Sequence, residues 1–157
     1  MNKASNWLVH DHRKYDLALE ECEMAADVGE WKKARRLFQD FVTDLKIHMQ
    51  MEDEVLYPLF VEENGDPDGV IAHLGEEHDY LVQLVHDLAL IIKASDFDHF
   101  LDSLEPLHDA MNLHNEHEEK VFLHMANQSI LMRRDEIMER LHAVQVKQGE
   151  HSRSWDF

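Results

Sequence analysis

Apolar residues recur along this chain at intervals of three, four and seven, the period of helices with one buried face. Leu8, Tyr15, Leu19, Cys22 and Ala26 form such a stripe and predict a first helix from about Ser5 to Asp27, stopped by Gly29. Ala34, Leu37, Phe38, Phe41, Leu45 and Val55 predict a second from Trp31 to Phe60. Pro58, which has no N–H to donate, is expected to end or kink its last turns. The clearest break is NGDPDG at residues 64–69, where Asp66 is expected to cap a third helix and Pro67 to occupy its first turn. That helix runs through Ile71, Leu74, Leu81, Val85 and Leu88 to about Lys93. A fourth, capped by Ser95 or Asp96, carries Phe100, Leu104, Leu107, Met111, Val121 and Met125, with Pro106 expected to kink it or to separate a short helix ahead of it. Residues 130–147 predict a shorter fifth helix, and residues 148–157 a loose tail. No stretch alternates as a strand does. The expected fold class is all-α: an up-down-up-down four-helix bundle with a short fifth helix, in a single domain over residues 1–157 with its core at 5–126.

Polar residues on two of these stripes change the picture. His48 and Glu52 sit four apart on the buried face of the second helix, so both reach the same interior point. The pair returns 66 residues later as His114 and Glu118, and at the same offset Asp11-His12 answers to Glu77-His78, Leu8 to Leu74, Leu45 to Met111 and Val55 to Val121. The chain therefore reads as two copies of a helix pair, the first helix giving one His and the second His-x-x-x-Glu. A buried carboxylate without a partner costs several kcal/mol, so a fold that turns Glu52 and Glu118 inward has to neutralise them. Six side chains of this kind suit two metal ions roughly 3.5–4 Å apart better than one. His12 and His48 then hold one ion, His78 and His114 the other, and the two carboxylates bridge. The competing reading is a hydrogen-bonded structural core, favoured for any one His alone, but the shared offset of both Glu and several apolar positions weighs against it.

The remaining His residues fit this scheme less well. His117 lies only about 60° around the helix from His114, but its counterpart at the repeat offset is Met51. His73 lies about 140° around from His78. His10 faces away from His12, about 200° around the helix, and His86 lies about 12 Å along its helix from His78. His99, His108, His124, His142 and His151 read as solvated-face residues, Cys22 and the methionines as core filling, and the acidic runs at 52–54 and 116–119 as solvated surface with one inward carboxylate each.

Composition narrows the class of partner. The 157 residues are 44% hydrophobic, enough for a real core, while a formal net charge of −18 repels nucleic-acid backbones and anionic membrane surfaces. The lone cysteine forms no internal disulfide, and no stretch reads as a membrane span or signal segment, so a cytoplasmic protein, monomer or homodimer, is expected.

Asp11-His12, His48-x-x-x-Glu52, Glu77-His78 and His114-x-x-x-Glu118 together resemble the hemerythrin-like, or HHE cation-binding, domains over roughly residues 5–126. The resemblance implies a non-haem di-iron centre with Glu52 and Glu118 as bridging carboxylates, an oxo or hydroxo bridge and the four His as terminal ligands. Oxygen-carrying hemerythrins have a further His four residues before the one matching His78. Leu74 stands there in this chain, which implies two more equivalent and more open metal positions than dedicated oxygen carriage requires.

Imidazole and bridging carboxylate in a helical bundle favour iron, with manganese or zinc as lesser options. A nitrogen-rich ligand set stabilises the ferrous pair, so the expected function is binding, sensing or reaction with a small ligand such as oxygen, nitric oxide or peroxide. Leu45 and Met111, about one turn from the ligating His residues, are expected to wall the pocket for that ligand. The alternatives are an enzyme or iron donor in nitric oxide or peroxide detoxification or iron-centre repair, and a structural or storage bundle. An open coordination position separates the first two from the last, and turnover separates the enzyme from the binder.

Overall fold

In a computed structural model, which describes residues 7–124 and 128–147, the apolar stripes fold into helices alone. The expected helix start at Ser5, the stripe position Met125, and the tail 148–157 with His151 lie outside the described residues. The helices are α1 (Trp7–Asp27), α2 (Trp31–Met51), a π-helical stretch (Glu52–Leu56), α3 (Tyr57–Asn64), α4 (Val70–Lys93), α5 (Phe97–Phe122), α6 (Gln128–Leu131) and α7 (Arg134–Lys147). Among the described residues, no helix is long and apolar enough to cross a membrane.

The stops follow backbone chemistry. At the end of α1, Gly29 takes a φ of +81° and the N–H groups of Gly29 and Glu30 return to the carbonyls of Ala26 and Ala25, satisfying acceptors that the helix leaves open. Ser95 ends α4 in the same way at φ +59°, which leaves Asp96 as the cap of α5, its carboxylate accepting from His99 N at 3.3 Å. Asp66 caps α4 from a distance, accepting from the N–H groups of Ile71 and Ala72 at 3.1 and 3.0 Å. Pro67 therefore lies in the preceding turn and not, as the sequence suggested, in the helix, whose N-cap is Gly69 in the left-handed region.

Three other expectations are revised in part. The second helix does not end at Pro58; it changes to π geometry six residues earlier and continues to Asn64. Pro106 lies inside an uninterrupted α5, on its exposed face, where water can take up the carbonyl that proline leaves without a donor. The fifth helix is two pieces, α6 and α7, separated at Met132 and Arg133.

Helix α1 packs on α2 and α5, α4 packs on α5 and α2, and α7 lies against α2 and the π stretch. Two apolar clusters fill the bundle. One holds Tyr15, Leu19, Phe38, Phe41, Leu45, Leu81, Val85, Phe100, Leu107 and Met111. The other holds Leu8, Met51, Val55, Leu56, Tyr57, Leu74, Phe122 and the α6–α7 residues Ile130, Leu131, Ile137 and Leu141. Full burial of each of these larger side chains contributes about 1.5–3 kcal/mol. Along every long helix the chain passes from one cluster to the other within about three turns. The positions between are His12, His48, Glu52, His78, His114 and Glu118, the buried polar and charged residues of the core.

Candidate metal centre

All six sequence-predicted ligands meet at this junction between the clusters. Helical spacing of four stacks His48 over Glu52 and His114 over Glu118, and the neighbouring helices bring His12 and His78 to the same level. His12, His48, Glu52 and Glu118 form one group, and Glu52, His78, His114 and Glu118 a second, each offering ligand atoms within 4.8 Å of one another. The two groups share both carboxylates.

Each imidazole points Nε2 inward. His12 Nε2 is 2.9 Å from Glu118 Oε1, His78 Nε2 3.0 Å from Glu52 Oε1, His48 Nε2 3.2 Å from Glu52 Oε2 and His114 Nε2 3.5 Å from Glu118 Oε2. The His78 and His114 Nε2 atoms are 3.0 Å apart. Every Nδ1 meets a second carboxylate at the edge of the site: Asp11 at 3.4 Å from His48, Glu119 at 2.8 Å from His12, Asp53 at 2.8 Å from His78 and Glu77 at 2.9 Å from His114. A carboxylate that accepts from Nδ1–H fixes the ring and leaves the Nε2 lone pair for a cation.

These outer partners were only half legible. Asp11 and Glu77 stood out as neighbours of ligating His residues, but each serves the His of the next helix. Asp53 and Glu119, read as solvated surface, turn inward instead. Their signal was in the sequence, since they too stand 66 positions apart.

Tyr57 was missed altogether. Its N–H bonds to Glu52 O, an i→i+5 closure that accommodates one residue more than an α-turn and swings the phenol beneath Glu52. There the hydroxyl donates to Glu118 Oε2 and lies 3.3 Å from His78 Nε2. On an unbroken α-helix a residue five positions after Glu52 points about 140° away, so periodicity alone places Tyr57 off the site.

The site is built for positive charge. Burial lowers the basicity of His12, but Glu118 and Glu119 outweigh it and hold the pKa up to about 9. Against the same burial, Glu52 and Asp11 hold His48 up to about 10, and Asp53 and Glu52 do so for His78. His114 is raised by Glu118 and Glu52. Tyr57 is held well above its usual range by burial and by Glu118, so it stays a neutral donor. Even so, His48 Nε2 and both Glu52 oxygens are buried without hydrogen-bond geometry to any partner among the described residues. An unsatisfied buried group of this kind costs about 1–3 kcal/mol. Cations held by the two groups that share Glu52 would satisfy these atoms, so the donor set fits a metal.

Leu45 and Met111 are buried in the first cluster, three residues before His48 and His114. Cys22 is also core, its thiol donating to Ala34 O at 3.3 Å and pushed by burial up to about 12, which removes it from metal and redox chemistry at neutral pH. His73 and His117 enter neither buried group; they gather with Glu77 on the outside of α4 and α5.

Comparison with known proteins agrees with this geometry. The family model described as hemerythrin HHE cation binding domain matches residues 3–126. No curated protein and no solved structure matches the chain.

Proposed function

Because the chain belongs to the hemerythrin HHE cation-binding family, we propose that it holds two iron ions and uses them to bind, sense or react with a small ligand such as oxygen, nitric oxide or peroxide. Manganese or zinc is the lesser candidate. The observation that carries this reading is the pair of four-residue groups sharing Glu52 and Glu118. His12 and His48 serve one ion, His78 and His114 the other, and the two carboxylates bridge. We further read the long helices as an up-down-up-down bundle made of two helix pairs 66 residues apart, within a single domain.

Iron held by these residues would supply a redox-active centre for a small exogenous ligand. The protein's own residues do the rest. Asp11, Asp53, Glu77 and Glu119 orient the imidazoles, Leu45 and Met111 form the apolar wall of the ligand pocket and keep water from it, and Tyr57 holds a proton at its hydroxyl beside Glu118 and His78. That donor favours a second reading, an enzyme that consumes peroxide or nitric oxide, since such turnover needs protons delivered to a buried site.

Anaerobic addition of ferrous iron, elemental analysis, and then separate exposure to oxygen, nitric oxide and peroxide under a visible spectrum test the proposal. Close to two irons per chain and a spectral response to at least one of the three are expected. Leu45→Ala and Met111→Ala are expected to alter the rate of that response more than the iron content. No iron uptake, or no response to any of the three, overturns the proposal, and sustained consumption of peroxide or nitric oxide selects the enzyme.

Metal uptake has a second signature. With pKa values of about 9 to 10, His12, His48 and His78 are protonated at pH 7 without metal. Two divalent ions therefore replace about three protons. Raised histidine pKa values mean that affinity rises with pH and levels off above the folded-state values, near pH 10. Proton release measured in weakly buffered solution at pH 7 is expected to approach about three per chain; release near zero shows that the histidines are not the ligands.

A further inference from the structure

His73 stands one position before Leu74, and its side chain leads to a different cluster. His73 and Glu77 are four apart on α4, with Nε2 and Oε2 3.7 Å apart, and His117 of α5 brings Nδ1 to 2.7 Å from the same oxygen. The two imidazole rings are 6.2 Å apart, and one ligand atom from each of the three residues lies within 4.8 Å of the others. We propose that His73, Glu77 and His117 form an outer site for a borderline divalent cation such as zinc, separate from the buried centre.

Two imidazoles and one carboxylate, with solvent free to supply a fourth ligand, are a tetrahedral zinc set. Ligand atoms 2.0–2.2 Å from a tetrahedral ion stand roughly 3.3–3.6 Å from one another, so the 3.7 Å pair is nearly in place. The 2.7 Å hydrogen bond to His117 opens slightly as the ion replaces its proton. The His73 side chain is 61% exposed and that of His117 36%, so an ion reaches both from solvent and His73 is free to adjust its rotamer. Glu76 Oε2, 3.7 Å from His73 Nδ1, offers the outer acceptor that orients a ligating ring. Glu77 gives this site only Oε2, because its Oε1 accepts from His114 Nδ1 at 2.9 Å. One carboxylate thus joins the outer ion to the shell of the buried centre and ties α4 to α5.

The test compares wild type with His73→Ala and His117→Ala, each loaded anaerobically with ferrous iron and dialysed against micromolar free zinc, with zinc and iron measured by elemental analysis. Wild type is expected to take up one zinc per chain more than either variant at equal iron, with zinc affinity in each variant at least about tenfold weaker. Because the readout is a difference between proteins, it holds whichever metal fills the buried site. Both substitutions lie on solvated faces, and helical circular dichroism verifies that the variants fold. Zinc uptake only in exchange for iron, or wild-type affinity in either variant, overturns the proposal.

Discussion

Glu118→Ala is expected to destabilise the metal-free protein by roughly 3–5 kcal/mol, and Glu52→Ala by much less, although both changes abolish metal binding. Both carboxylates are bridges in the proposed centre and occupy equivalent positions in the sequence, yet their metal-free surroundings differ. Glu118 accepts from Tyr57 and from His12, whereas the oxygens of Glu52 approach His48 and His78 without hydrogen-bond geometry. Removing Glu118 leaves the buried phenol of Tyr57 and the Nε2–H of His12 without their acceptor, although Glu119 still faces His12 Nδ1. Removing Glu52 deletes two unsatisfied atoms, and Asp11 and Asp53 still face the imidazoles it served. At roughly 2–4 °C per kcal/mol, the midpoint of apo Glu118→Ala falls on the order of 10 °C below apo wild type. The pH dependence carries a sign. Burial pushes the Glu118 carboxyl up, and the imidazoles of His114 and His12 outweigh this and hold it well below the usual range. Its contribution is therefore complete above the unfolded carboxylate pKa and lost only as pH falls through the lower folded value. Equal midpoints for the two apo variants at neutral pH contradict this account.

Iron is expected to raise the melting temperature of wild type by about 5–10 °C, and that of the double variant Glu52→Gln with Glu118→Gln not at all. A ligand that binds only the folded form stabilises by about 2.7 kcal/mol when its free concentration is a hundredfold above the dissociation constant. At this chain length that energy converts into the stated shift. The stabilised form is also the one in which His48 Nε2 and both Glu52 oxygens gain a partner. The neutral amides cannot bridge two cations, so the metal dependence goes. Melting curves with chelator and with anaerobic ferrous iron decide the matter, and coincident wild-type curves leave a structural hydrogen-bonded core as the better description.

The chemistry-bearing residues were legible in the sequence because a helix repeats its faces. Glu52 and Glu118 stood where the stripe called for leucine, and each lay one turn from a His, so periodicity alone was enough to turn both pairs inward. The helical class followed from the same stripes, and the stops at Gly29 and Asp96 from residues suited to end or cap a helix. Tertiary structure decided what crosses between helices. That Asp53 turns to His78 and Glu119 to His12 depends on how helices distant in sequence are set against each other, and no one-dimensional period records that setting. Tyr57 reaches the centre because the π-helical stretch Glu52–Leu56 shifts the register after Glu52, and that shift is a property of the backbone that no apolar period records. His73 was set apart from the buried centre by angle and His117 by the lack of a counterpart at the repeat offset, but their meeting over Glu77 required α4 and α5 to lie side by side. A helical stripe reports which way a side chain faces. Only packing determines which atoms it faces.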